Sequence, residues 1–180
     1  MKNNPNSQSP IPNSNKLVFL IGMPAVGKTY WAGKIAERHK LEFIDLDVFV
    51  SLQEKASISA LFAQYGEKGF RERENKQLKK LIGAITVDTV VACGGGTPCF
   101  HDNMELMKNA GVVIYLSSDI PFLLKHIKNS AEDRPLLNNR GDLSVYLEKL
   151  LRQRKEFYEQ AHHILQTKNI SITTFDKIIK

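Results

Sequence analysis

Eight consecutive residues, Gly22-Met23-Pro24-Ala25-Val26-Gly27-Lys28-Thr29, carry side chains and spacing suited to holding a polyphosphate. Glycines let successive backbone N–H groups turn toward one point and form an anion-binding nest. A helix beginning at Lys28 adds the positive end of its dipole. Lys28 is placed to reach the β- and γ-phosphates, and the Thr29 hydroxyl to bind Mg²⁺. The apolar run Leu17-Val18-Phe19-Leu20-Ile21 leads in, and an amphipathic pattern through Trp31, Ala32, Ile35 and Ala36 leads out. This is the strand–loop–helix setting the motif requires. The expected nucleotide-binding set is Gly22, Pro24, Ala25, Val26, Gly27, Lys28, Thr29 and Tyr30. Ala25 and Val26 give the loop centre less backbone freedom than glycine would.

Further chemistry sits downstream. Asp45-Leu46-Asp47 ends the second apolar run. On a strand, residues i and i+2 share a face, so both carboxylates would emerge together at the sheet's C-terminal edge. Two close acids can hold hydrated Mg²⁺ or accept a proton from a hydroxyl. Equally, Asp47 could cap a helix beginning at Val48. The third apolar run, Val90-Val91-Ala92-Cys93, ends not in an acid but in Gly94, Gly95 and Gly96. The metal-side acid must then come from elsewhere, and Asp45 is the nearest candidate. Three glycines there allow either a close ligand approach or a flexible turn. No Asn-Lys-x-Asp segment for reading guanine is present.

Arginines complete the set. Arg71 and Glu74 are i and i+3 on a helical pattern, hence neighbours. They form either a surface ion pair or a fixed guanidinium fork for a substrate carboxylate. Arg134 lies in the polar stretch 129–142, where a lid arginine could stabilise charge in transit. Arg154 lies in the charged run Arg152-Gln153-Arg154-Lys155-Glu156, which reads by default as a solvated helix face.

These residues need a frame. Strands are expected at 17–21, 42–46, 89–93, 112–116 and, more weakly, 163–166. Helices are expected at 28–39, 48–65 with a break near 56–57, 69–83, 103–108, 120–128 and 143–160, with a short last one near Thr173. Strands separated by helices imply right-handed crossovers and a three-layer α/β/α fold with a mostly parallel five-stranded sheet. A chain of 180 residues with 42% hydrophobic residues suits one such domain. It is expected over 16–180, after a disordered Asn/Pro/Ser-rich tail at 1–15. No apolar run approaches the roughly 20 residues that span a bilayer, and the tail lacks a secretory apolar core. A cytoplasmic location is expected. The charge of +6, from 25 Lys+Arg against 19 Asp+Glu, comes from short motifs and not one basic stripe. That favours small anionic ligands over nucleic acid. Cys93 and Cys99 lack metal-ligand spacing and read as free thiols.

Taken in order, the motifs resemble those of the shikimate kinase family. The residues that carry the likeness are Gly22 through Thr29, Asp45 and Asp47, Ser57-Ile58 through Leu61-Phe62 to Gly66-Glu67, and Phe70-Arg71 with Glu74. Gly94, Gly95 and Gly96, Arg134-Pro135-Leu136-Leu137, and Arg154 through Phe157-Tyr158 to Ala161 complete it. The resemblance spans about residues 17–166. It implies a P-loop kinase fold with a lid at 129–142 and substrate-binding helices at about 48–83. It implies transfer of the ATP γ-phosphoryl group to the 3-hydroxyl of shikimate, with Mg²⁺. A monomer with no nucleic-acid or membrane partner is expected. It assigns Asp47 to the attacking hydroxyl, Asp45 and Thr29 to the metal, and Arg71 and Arg154 to the shikimate carboxylate with Glu74 holding Arg71. Gly94, Gly95 and Gly96 would line the ring, and Lys28 and Arg134 would neutralise the moving phosphoryl group. The chain departs from the family pattern at two single positions and in one segment. Ala25 replaces a common glycine, Lys55 replaces a glycine before the Ser-Ile pair, and Lys125, His126 and Lys128 stand where an adenine-stacking arginine is frequent. A kinase for another carboxylated polyol or sugar acid, or a non-catalytic nucleotide-binding module, are the competing readings.

Overall fold

The computed structural model describes residues 16–129 and 142–179. The central strand β1 (Leu17–Ile21) is buried along its whole length. Five consecutive apolar residues suit a strand covered on both faces. It pairs in parallel with β3 (Thr89–Ala92) on one side and β4 (Val112–Ser117) on the other, so Phe19 lies between Val91 and Val113. The edges are β2 (Glu42–Asp45) and β5 (His163–Gln166), giving the order β2-β3-β1-β4-β5, parallel throughout. Both edge strands are short and more exposed than the centre, which limits unwanted edge pairing.

Helices cover both faces. They are α1 (Lys28–His39), α2 (Leu46–Glu54), α3 (Ile58–Ala84), α4 (Asn103–Ala110), α5 (Ile120–Asn129), α6 (Leu143–Tyr158) and α7 (Ile172–Asp176). α1 buries Ala32, Ile35 and Ala36, the face read from the sequence. α7 returns to α1 through a two-point Arg38–Asp176 pair, at 2.7 and 2.6 Å, and a Trp31–Phe175 ring contact. The expected parallel five-stranded sheet is thus present. The expected tail at 1–15 and the lid at 129–142, apart from its end residues Asn129 and Asp142, lie outside the described residues.

Two element boundaries differ from expectation. β2 stops at Asp45, and Leu46 already begins α2, so the strand does not reach residue 46. The cause is local: the Asp45 carboxylate accepts from the N–H groups of Asp47 and Val48 and starts the helix, a cap that contributes about 1 kcal/mol. The break expected near 56–57 is present: α2 ends at Glu54, with Lys55 in left-handed conformation, and α3 starts behind the Ser57 cap. α3 then continues past the expected gap at 66–68 and is interrupted only at Gly66 (φ 65°, ψ −176°). That backbone region is essentially restricted to glycine. Nothing lies within 4 Å of where a Gly66 side chain would begin. Gly66→Ala should therefore be destabilising through backbone strain alone, by about 1–3 kcal/mol. Denaturant unfolding with an unchanged m-value would verify this; an unchanged midpoint would contradict it.

Candidate active site

The phosphate loop bends through three left-handed positions, Gly22, Ala25 (φ 64°) and Gly27. Ala25 holds a conformation that glycine adopts more readily, at a strain of about 1 kcal/mol. Gly27 caps α1, and Lys28 is its first residue. The Lys28 amine donates to the carbonyls of Gly22 and Met23, at 3.0 and 2.9 Å. It therefore lies folded over the loop mouth. Tyr30 is exposed on α1 and packs edge-on against Trp31.

Thr29 and the two acids meet just beyond. The Thr29 hydroxyl donates to Asp45 Oδ2 at 3.0 Å, while Asp45 Oδ1 accepts from the backbone of Asp47. The two acids do not converge by strand alternation, because Asp47 lies in the first turn of α2. One carboxylate makes the cap; the other is carried inward by the helix so begun. Burial raises the Asp47 carboxyl to about 6, with Glu74 and Asp45 adding to the rise and Lys28 and Arg71 opposing it.

Gly94, Gly95 and Gly96 organise the rest. A side chain begun at Gly94 would meet Asp47 Oδ1 at 2.8 Å and Glu74 Oε1 at 3.3 Å. At Gly95 it would meet Arg154 Nη1 and Pro24 Cδ, both at 3.1 Å. At Gly96 it would strike the Arg71 guanidinium. Three successive glycines thus front an acid, one arginine and a second arginine, beside the phosphate loop. Arg154 belongs to this cluster, and the solvated-face reading of its charged run does not hold for it.

Arg71 and Glu74 are no surface pair either. Arg71 is 5% exposed and Glu74 fully buried, with Nη1 donating to Oε2 at 2.8 Å. The rings of Phe70 and Phe100 stand 5.0 and 4.5 Å from the guanidinium carbon, and stacked Phe62 lies at 5.8 Å. Removing one member of such a pair costs about 3–5 kcal/mol, because the other charge is left buried.

A family model described as shikimate kinase matches residues 24–180. The chain belongs to the shikimate kinase family. The shikimate kinase of Phocaeicola vulgatus is 38% identical over 151 residues, covering 83% of this chain and 85% of that protein. The crystal structure of shikimate kinase from Bacteroides thetaiotaomicron superposes with a TM-score of 0.85 at 28% identity, covering 91% of this chain and 98% of that one. Shikimate kinase from Acinetobacter baumannii in complex with shikimate gives 0.81 at 29% identity, with 93% and 92% covered.

Two polar residues, Thr97 and Asn103, carried no signal of their own in the sequence. Both are fully buried; the Thr97 hydroxyl donates to Glu74, and the Asn103 side chain donates to the Thr97 carbonyl. Tyr158, four residues after Arg154 and buried, donates to the Gly95 carbonyl at 2.6 Å. It belongs to the Arg154-to-Ala161 motif read from the sequence, which assigned it no role, and lies one turn from Arg154 on α6. A cavity of about 220 Å³ opens at the ends of β4 and β5, lined by Ser117, Ser118, Asp119, Phe122, Gln166, Thr167 and Lys168. Of the basic residues noted for an adenine contact, Lys125 and His126 are exposed, and His126 stacks on Phe122 at 4.0 Å. Both cysteines are free thiols; burial pushes Cys99 up to about 11 although Arg154 and Arg71 oppose it. Arg134 lies outside the described residues. Among those described, no cluster of three or more metal-binding side chains occurs, and no helix is long and apolar enough to cross a membrane.

The Asp47 shift has a signed consequence for stability. Its folded value, about 6, exceeds the ordinary 3.8. Between those values the folded state binds more protons than the unfolded one, so stability falls as pH rises through about 6. Asp47→Asn should therefore raise Tm at neutral pH, and the gain should shrink as pH is lowered through that window. Thermal melts of both proteins without ligand test it; a gain independent of pH would refute the electrostatic cause.

Proposed function

We propose that this chain transfers the γ-phosphoryl group of ATP to the 3-hydroxyl of shikimate, giving ADP and shikimate 3-phosphate. The observation that carries the reading is the glycine triplet, which brings Asp47, Arg154 and Arg71 onto one short stretch of backbone beside the phosphate loop. An acid for a hydroxyl and two guanidiniums for a carboxylate match the two ends of a small hydroxy acid.

We assign roles as follows, and that geometry supports those of Asp47, Arg71 and Arg154. Gly94, Gly95 and Gly96 form a floor on which the ring can approach the main chain. Arg71 and Arg154 grip the carboxylate, and Glu74 fixes the orientation of Arg71. Asp47 takes the proton of the attacking hydroxyl, for which a value near 6 leaves it ionised at neutral pH. Lys28 exchanges its loop carbonyls for β- and γ-phosphate oxygens, aided by Arg134. The loop amides, with Gly22, Pro24, Ala25, Val26 and Gly27, hold the phosphates, and Tyr30 follows on α1. The cavity at the ends of β4 and β5 receives the base. One hydroxyl and one carboxylate, Thr29 and Asp45 at 3.0 Å, suit an ion that keeps several waters and phosphate oxygens, which is the habit of Mg²⁺. Bound there, Mg²⁺ would neutralise charge between the β- and γ-phosphates. Positioning and charge supply most of what phosphoryl transfer needs.

Coupled ADP-release kinetics with MgATP test the assignment. Folded protein without shikimate-dependent turnover would reject it, and a carboxylate-free polyol turned over equally well would reject the arginine roles. Arg71→Ala should chiefly raise the KM for shikimate, and Asp47→Asn should chiefly lower kcat, by about 10²–10⁴-fold. In the parent enzyme, kcat/KM for shikimate should fall below about pH 6, as the free Asp47 carboxylate takes up a proton. An acid limb unmoved from that of an ordinary carboxylate would remove Asp47 as the base.

A further inference from the structure

Glu74 is fully buried, and both of its carboxylate oxygens are engaged. Oε2 accepts from Arg71 Nη1, while Oε1 accepts from the Thr97 hydroxyl at 2.7 Å. Thr97 is itself fully buried at the start of the 3₁₀ turn that follows the glycine triplet. Its carbonyl accepts from Asn103 Nδ2 at 2.8 Å, and Asn103 Oδ1 accepts from Asn75 Nδ2 at 2.7 Å. Asn75 follows Glu74 on α3. The bonds therefore close a ring from α3 through the 97–99 turn and the start of α4 back to α3.

The ring bears on how Arg71 spends its donors. A guanidinium has five N–H groups. In Arg71, Nη1 serves Glu74, Nη2 lies 3.4 Å from the exposed Glu67, and buried Nε has no hydrogen-bond partner. Without the Thr97 hydroxyl, Oε1 of Glu74 would be a buried, unsatisfied charged oxygen. Arg71, already bonded to the other oxygen, carries further donors that could turn to it. The pair would turn toward a two-point fork, consuming N–H groups that a bound carboxylate requires.

We infer that Thr97 is a positioning residue for Arg71: its hydroxyl occupies the second oxygen of Glu74, so the guanidinium keeps its donors for the carboxylate of the acceptor. Asn103 holds Thr97 in register for this bond. The inference rests on the reading of Arg71 as a carboxylate clamp.

Steady-state kinetics of the full chain test it. Thr97→Val keeps the branched shape and removes the donor. Loss of one hydrogen bond to a charged group should raise the KM for shikimate roughly tenfold. The kcat and the KM for ATP should stay within about twofold of the parent. Thr97→Ser keeps the hydroxyl and should restore the parent KM. In an Arg71→Lys background, Thr97→Val should lose most of its effect, because the fork it protects is gone. A parent-like KM in Thr97→Val, a serine variant no better than valine, or full additivity with Arg71→Lys would each overturn the inference. Should the valine variant not fold, Thr97→Ala against Thr97→Ser supplies the same contrast. An unmodified enzyme without shikimate turnover would reject the functional reading itself, whereas an active parent with an indifferent Thr97→Val rejects only the positioning role.

Discussion

The site depends on main chain brought close to charged side chains without any side chain intervening. β3 ends in the middle of the sheet's C-terminal edge, next to the phosphate loop of β1. Its three following glycines are flanked by Asp47, Arg154 and Arg71, with the Arg71 guanidinium leaving no room for a methyl group at Gly96 and little room at Gly94 and Gly95. A larger residue at Gly96 would push Arg71 out of place, and one at Gly94 or Gly95 would press on Asp47 or Arg154. At Gly96 the constraint is steric and does not arise from unusual dihedrals: Gly96 has φ −92°, which any residue tolerates. Its smallness serves the approach of Arg71. The contrast with Gly66, where the backbone conformation itself demands glycine and space is open, separates two reasons for the same residue type.

Packed acids and bases around that floor restrain one another. Glu74 is desolvated completely, and its charge is tolerated because Arg71 and Thr97 hold its two oxygens. The same charge bears on Asp47 and, with burial, lifts it to about 6. Lys28 and Arg71 pull the other way, which keeps the carboxylate ionised in neutral solution. A group in this condition is basic enough to take a proton and still available to do so. The stability lost by holding it ionised is the counterpart of that readiness. Folded proteins commonly carry such local instability where a site must be set in advance of its ligand.

Much of this was legible in the chain, and the reasons are physical. Strands such as Leu17–Ile21 are continuous apolar runs, and the helices between them force parallel pairing, so the layer order followed from pattern. The phosphate loop was legible because its glycines, lysine and threonine act within eight consecutive residues. Asp45 and Asp47 were recognised as a pair, but their geometry was not, since alternation on a strand and capping of a helix begin from the same letters. The decision fell to two backbone bonds at Asp45. From local spacing alone the Arg71–Glu74 pair and Arg154 read as solvent-facing, because charge runs usually are; only the order of the motifs placed them at the site. The burial of Arg71 and Glu74 is set by the glycine turn after β3, more than twenty residues from Arg71 along the chain, and local spacing carries no trace of that. Thr97 and Asn103 were silent for the same reason: each is an ordinary polar residue until the fold closes around Glu74.

The acid and the arginine reach one floor only because α2 and α3 behave as one unit. α2 carries Asp47 in its first turn, and α3 carries Arg71 in its middle. Near the end of α2, Glu54 accepts from Arg73 at 2.8 Å and from Gln77 at 2.6 Å, both on α3. The Arg73 guanidinium lies over the Tyr65 ring at 3.8 Å, bracing the helix across the break at Gly66. Hydrogen bonding by Gln77 and Arg73 holds the Glu54 carboxyl below its usual range. These bonds are partly exposed, so each contributes modestly to stability. Their value lies in direction. A fork at Glu54 and a ring at Tyr65 fix how α3 lies against α2, and so set where Arg71 stands relative to Asp47. The spacing between the group that takes a proton and the group that holds the carboxylate is therefore decided by contacts that touch neither.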